Sequence, residues 1–410
     1  MNHTAYMSTM FLSYAAMAGT CQPTWDTQIG DPGASGAVSS FSSNSDDQMP
    51  RLVATGSFKL IDNYSYEYLA QWDGELWRPL ADNVNNDPIS SIFSLNSFWL
   101  AGAFTQIDGV NALRVARMGD EGWEPVGHGF NQAVNVLQEH QGSIYAGGAF
   151  WRSGPSSMRA ISQWTGEEWA PVGDGLVGEV IDLATGPDGS LIAAGDLSFI
   201  AGGDALSHVA SWNGEQWTPT GEGLDAHVNT LHVGDIGTGS QLFAGGAFTS
   251  NVSTFIDGTW SSLGAGPGGP VYDLIIADVG NGPQLIAAGD FGATDAGALA
   301  VWDGSAWTPL AGGLAQSNGS PQARALAIDP SSGALVVGGR FDHAGGVPSK
   351  NIAMLALCSD THPADFDGDG VVGAGDLAVI LAAWGGTSAD LDGDNIVGAG
   401  DLAVLLAAWN

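Results

Sequence analysis

The sequence predicts an all-β fold, a seven-bladed β-propeller of four-stranded blades closed by its own two termini, followed by a small helical domain. Three observations predict it. A self-similar unit of about 46 residues recurs along most of the chain. The 410 residues include 61 Gly and 15 Trp, a composition of short strands and tight turns. An acidic segment near the C-terminus occurs twice. The expected organisation is a signal peptide over 1–20, the propeller over 21–358, a linker over 359–364 and the duplicated module over 365–410.

One half of the repeat is an apolar strand ending in a Gly-rich corner and a large apolar residue. It occurs seven times, ending at Phe58, Phe104, Phe150, Leu197, Phe248, Phe291 and Phe341. The other half is a hairpin of W-x-G-x-x-W type, as in Trp72 to Trp77, Trp164 to Trp169, Trp212 to Trp217 and Trp302 to Trp307, with degenerate versions at Met118 to Trp123 and Ile256 to Trp260. Its Gly supplies the positive φ of a tight turn. A further strand precedes each corner, as in Val180-Ile-Asp-Leu and Val271-Tyr-Asp-Leu. Four short strands per unit make a blade, whereas a solenoid would need helices or parallel strands.

Six hairpins against seven corners leave one incomplete at each end. Pro23-Thr24-Trp25 matches the end of a hairpin and Asn351–Leu355 the beginning of one, so the two ends together are expected to complete the last blade. Such closure leaves no exposed strand edge. It brings Cys21 near Cys358, the two cysteines of the chain. These form one bridge, worth at most about 6 kcal/mol in the chain-entropy picture, or Cys21 is a free thiol in a terminal tail. Ahead of them, the apolar stretch Met10–Ala18 with its Ala16-Met17-Ala18 triplet has the form of a cleavable export signal, though no Lys or Arg precedes it. Export agrees with the expected placement, secreted or on the cell surface.

The corner and hairpin sequences resemble those of secreted bacterial propellers and of the repeat region of fungal cortical polarity-marker proteins. They are more distantly similar to Kelch propellers, whose Gly-Gly with spaced Tyr and Trp is lacking here. The resemblance covers residues 21 to 357 and implies architecture, not activity.

Residues 365–385 align with 390–410, and 16 of the 21 positions are identical. Each copy opens D-x-D-x-D, with Asp365, Asp367 and Asp369 in the first and Asp390, Asp392 and Asp394 in the second, and adds Asp376 or Asp401 at position 12. This is the spacing of a twelve-residue calcium loop. The alternate carboxylates, the main-chain carbonyl at position 7 (Val371, Ile396) and the acid at 12 supply the six to eight oxygens that Ca²⁺ requires. Two ions are therefore expected. The segment contains no Lys or Arg after Lys350, so the acids repel one another unless a cation neutralises them. An apolar helix follows each loop, with Leu377, Ile380, Leu381 and Trp384 in the first and Leu402, Leu405, Leu406 and Trp409 in the second, expected to share one face.

Loop then helix, twice, without entering helices, resembles a dockerin type I module. The resemblance implies that the eight Asp residues are calcium ligands and that a cohesin-like or cell-surface protein is a partner. It departs from cohesin-binding dockerins where they carry polar recognition residues, since Ala374-Gly375 and Ala399-Gly400 stand there.

A net charge of -34 disfavours nucleic acid and anionic membranes as partners, and no run of apolar residues after the N-terminal segment is long enough to span a bilayer. The eight His residues are scattered without metal-binding spacing. Gly264-x-Gly266-x-x-Gly269 is followed by Pro270 and a strand, not a helix, so it is expected to be a loop between blades. Asp196, Asp290 and Asp342, at three Gly-rich corners, could converge near a central channel as an acid–base pair, but the same positions in other repeats carry Ala or Ser, so turn or strand-end roles are expected for them. The expected function is a monomeric, non-catalytic binding or scaffold protein with a calcium-dependent attachment module. The alternative, carried by the dockerin resemblance, is a carbohydrate-active glycoside hydrolase or lyase, and a carbohydrate ligand is compatible with both.

Overall fold

The computed structural model describes residues 23–26, 33–44, 52–61, 64–65, 67–280, 282–292, 297–357, 364, 366, 372–394 and 396–409. The expected signal peptide, Cys21 and Cys358, and Asp365, Asp367, Asp369 and Val371 lie outside them.

The fold is all-β and β-propeller-like. Among the described residues, seven four-stranded antiparallel sheets follow one another along the chain. In the third, Val134–His140, Ser143–Gly148, Ile161–Trp164 and Trp169–Pro171 lie side by side in chain order. The second strand of each sheet is buried along nearly its whole length, as in Leu52–Gly56. The sheets stack face to face, so this strand has no solvated side, and its sequence is a continuous apolar run.

Small residues permit that stacking. A Cβ on Gly147 would stand 2.4 Å from Val180 Cγ1 of the next sheet, and one on Gly148 2.3 Å from the Ala133 carbonyl oxygen. In the hairpins, Gly166, Gly214 and Gly304 take φ of 101°, 98° and 96°. The preceding side chain caps the turn, as where Asp73 Oδ1 accepts from Glu75 N (3.0 Å) and Leu76 N (2.8 Å).

The second Trp of most hairpins ties its sheet to the one before. The Nε1 groups of Trp169, Trp217 and Trp307 donate to the carbonyls of Val126, Val172 and Leu263 at 3.2, 3.0 and 2.9 Å. Trp25 makes the same bond to Ala311 O at 2.8 Å. Its strand, Thr24–Trp25, is the outer member of the seventh sheet, pairing antiparallel with Ile352–Ala356. An apolar core fills the space between each pair of consecutive sheets. A further core joins Val38, Leu52 and Ala70 of the first sheet to Val336, Ile352 and Met354 of the seventh. Gly264 and Gly266 lie in the loop between Thr259–Ser262 and Val271–Asp278, as expected.

The C-terminal segment contains two helices, α1 (Ala374–Ala382) and α2 (Ala399–Ala407). Ile380 and Leu405 fill a small core with Val372 and Val397. The expected four-residue apolar face is narrower in the structure. Leu381 and Leu406 are exposed because a residue next to a core position is turned 100° away around a 3.6-residue helix, and Trp384 and Trp409 are exposed beyond the helix ends at Ala382 and Ala407. No helix among the described residues is long and apolar enough to cross a membrane.

Candidate functional site

The duplicated segment carries its acids in two different settings. Asp390, Asp392 and Asp394 present carboxylate oxygens that all lie within 4.8 Å of one another. Asx-type turns hold the loop: Asp390 Oδ1 accepts from Gly393 N (2.7 Å), Asp392 Oδ1 from Asp394 N (3.1 Å) and Asp394 Oδ1 from Ile396 N (2.8 Å). A Cβ on Gly400 would lie 1.8 Å from Asp392 Oδ2. Glycine at this position is thus what lets the carboxylate approach the start of α2.

Asp401 stands apart from that triad and is fully buried. Its Oδ2 accepts from Gly398 N (2.6 Å), and its Oδ1 from Leu391 N (2.6 Å) and Asp392 N (3.1 Å). Asp376 does the same in the first copy, accepting from Gly373 N (2.8 Å) and Phe366 N (2.6 Å). The Gly398 amide, ahead of the two others, draws the Asp401 carboxyl below the usual range against the opposing effect of burial. The position-12 acids therefore lace each loop to the first turn of its helix. Ile396 is exposed at the loop's edge. Three hard, anionic oxygen donors converging in this way suit Ca²⁺.

The second site lies among the sheets. Every first strand carries a β-bulge at the same place, for example between Val134 and Val136, Val180 and Asp182, and Ala323 and Ala325. A bulge leaves one residue outside the ladder and re-aims its side chain. The seven residues so released are the polar Ser39, Asn135, Asn229, Tyr272 and Arg324 and the apolar Ile89 and Ile181. All seven line one cleft of ≈ 530 Å³, so every sheet contributes to it.

A bulge also leaves main-chain N–H groups to be satisfied. Ser90 Oγ accepts from Leu137 N of the next sheet (3.1 Å), Asp182 Oδ2 from Leu231 N (2.6 Å) and Asp273 Oδ2 from Leu326 N (2.7 Å). The other oxygens of the two Asp residues accept from Leu183 N and Leu274 N, at 2.8 Å each. Burial pushes both carboxyls up to about 7 against these hydrogen bonds, and the Asp182 charge raises Asp273 further. Both are crowded by protein, yet each keeps a partly accessible edge on the cleft.

The corner acids Asp196, Asp290 and Asp342 do not line that cleft. They close the second strands, whereas the cleft is lined by the first. Asp196 sits 3.8 Å from His208. Asp290 accepts from Gln322 Nε2 (2.9 Å). Asp342 is held at about 2, chiefly by Ser317 and then by His343. The carboxylates that do line the cleft are Glu179, Asp182 and Asp273. The recurring V-x-D-L of two first strands was the available signal for the Asp pair. Both oxygens of each are engaged by main-chain amides, which is a structural task.

No family model matches this chain, and no curated protein does. Among solved structures, it is similar to the extracellular domain of a protein described as a one component system of B. thetaiotaomicron, with TM-score 0.52 and 11% identity. That match covers 81% of this chain and 39% of the other, so this chain spans well under half the length of that one. A chain of a mitotic checkpoint complex matches with TM-score 0.49 and 14% identity, over 87% of this chain and 99% of that one. At such identities the first likeness defines a class, β-propeller-like proteins, and nothing finer.

Proposed function

We propose that this is a secreted or cell-surface binding protein in which a closed seven-bladed propeller presents a ligand site and a C-terminal dockerin-like module folds around two Ca²⁺ ions to attach it to a partner. The observation that carries the calcium reading is the convergence of Asp390, Asp392 and Asp394. Asp365, Asp367 and Asp369 are their counterparts in the first copy, and Val371 and Ile396 offer position-7 carbonyls. Asp376 and Asp401 already serve loop amides, so the first three acids of each loop carry most of the cation binding. A bound ion would neutralise their repulsion and couple binding to folding of the module. The ring reading is supported by the pairing of Thr24–Trp25 with Ile352–Ala356 and by the core shared between the first and seventh sheets.

Calorimetric titration of the full chain with CaCl₂ should reveal two sites, one of which disappears in an Asp390→Asn/Asp392→Asn/Asp394→Asn variant. Chelation by EGTA should remove the helical circular dichroism and leave the tryptophan near-ultraviolet signal. No calcium heat together with an unchanged helical signal in EGTA would sink the proposal.

A further inference from the structure

The cleft among the first strands contains opposite charges that the protein does not pair. Arg324 is released by the bulge of the seventh sheet and is exposed to the cleft. One guanidinium NH₂ donates to Gln322 Oε1 (2.8 Å), and its carbon lies 5.9 Å from the centre of the Tyr272 ring. Among the described residues it has no carboxylate partner within 4.0 Å, in a chain with only 10 Lys and Arg. The remaining N–H groups of the fork are available to a planar anion, for which an Arg is suited. Ser39, from the adjoining first sheet, adds a hydroxyl on the same side.

Glu179, on the first strand of the fourth sheet, faces the same cleft. Asn135 Nδ2 donates to its Oε1 (2.8 Å), which orients the carboxylate without neutralising it. It too has no cationic partner among the described residues. In the ring proposed above, two sheets separate Glu179 from Arg324 on one side and three on the other, which puts the two charges on opposite walls. Charges that face a water-filled cleft without a counter-charge beside them are available to a ligand of complementary charge. In an α-amino acid the two charges are attached to one carbon, so they cannot sit far apart. An extended dipeptide spans roughly 7 Å.

We infer that this cleft is a binding site for short linear zwitterions such as free di- and tripeptides, whose carboxylate meets Arg324 and whose ammonium meets Glu179. Ile89 and Ile181 supply apolar wall between the charged ends, and Asn229 and Tyr272 supply polar edges. The bulges make such a site cheap to vary, because the scaffold needs the bulge but not the identity of the residue it releases.

This inference rests on the reading of the propeller as a binding domain. The test is calorimetric titration of the full chain with glycylglycine and triglycine, with glycine, with N-acetylated and C-amidated diglycine, and with sorbitol. The free peptides should bind, either cap should weaken binding by roughly tenfold or more, and glycine and sorbitol should be inert. Arg324→Gln and Glu179→Gln should each weaken glycylglycine by roughly tenfold, with unfolding midpoints unchanged. Overturning results are no binding of either free peptide, binding indifferent to the caps or to both variants, or sorbitol binding as tightly as the peptides. Binding of a glycan or protein ligand by a chain that binds neither free peptide would overturn this site while leaving the binding-domain reading intact.

Discussion

The carboxyls of Asp182 and Asp273 should make the stability of the sheets fall as pH rises, opposite to the usual behaviour of surface acids. Their folded-state values of about 7 lie above the ordinary 3.8. Between those values the folded protein holds protons that the unfolded chain has released. Stability is therefore greatest below the lower value, declines as pH climbs through 7 and flattens above it. From pH 5 to pH 8 the loss is about 2.6 kcal/mol for each group, so about 5 kcal/mol together, an upper figure because the cleft admits water. His232 acts in the other direction. Burial lowers it to about 4, so it adds stability as pH rises to about 6.5. Comparison with an Asp182→Asn/Asp273→Asn variant cancels that contribution, since both proteins retain His232.

Each Asn leaves one amide facing an NH₂ group, at a pH-independent cost of about 1–3 kcal/mol. The informative quantity is therefore the change in the gap, not its size. Urea unfolding followed by near-ultraviolet circular dichroism at pH 5, 6, 7 and 8 measures it. The wild type should lose ground to the variant by several kcal/mol across the series. A gap constant to within about 1 kcal/mol would show that these carboxyls are ionised throughout and that the reasoning is wrong.

Two substitutions probe the remaining structure. Trp25→Phe removes the indole bond to Ala311 just as Trp307→Phe removes the one to Leu263, so each should cost about 1 kcal/mol in urea unfolding. A neutral Trp25→Phe beside a costly Trp307→Phe would mean that the N-terminal strand is not a working member of the seventh sheet. Gly400→Ala places a methyl group on the Asp392 carboxylate and should weaken one calcium site about tenfold while leaving the intrinsic helix propensity of α2 no worse. Two unaltered sites in calorimetry would refute the proposed ligand role of Asp392.

The blade repeat is legible because its constraints are local and recur. A strand buried on both faces must be apolar throughout, a corner against a neighbouring strand must be Gly, and a hairpin carries Asp-Gly, Asn-Gly or Thr-Gly between its tryptophans. The pairing of Trp25 with Leu355 is legible by the same means, as a half-hairpin left over at each end. The loop acids are legible from spacing, yet their division of labour is not. Position 12 is also the third residue of a helix, and there the competing demand of free amides at the helix start takes Asp401. Nothing in a D-x-D-x-D pattern registers that competition.

The cleft is hidden for a related reason. Alternation places every second residue of a strand on one face, and a bulge breaks that rule at a single residue without changing composition. Ile89 and Ile181 look like ordinary strand interior, and Arg324 like a solvated charge. The repeats nevertheless distinguish these positions once the bulge is known. The residue two places after the released one is Leu in five sheets, at Leu137, Leu183, Leu231, Leu274 and Leu326, because it enters the packing between sheets. The released residue is Ser, Ile, Asn, Ile, Asn, Tyr or Arg. A repeat that keeps Leu at one position in five of its seven sheets and lets a near neighbour take five residue types has been freed at the neighbour of packing demands. The seven freed positions all face one cleft, and that is where the chemistry that distinguishes this protein from any other of its architecture has room to reside.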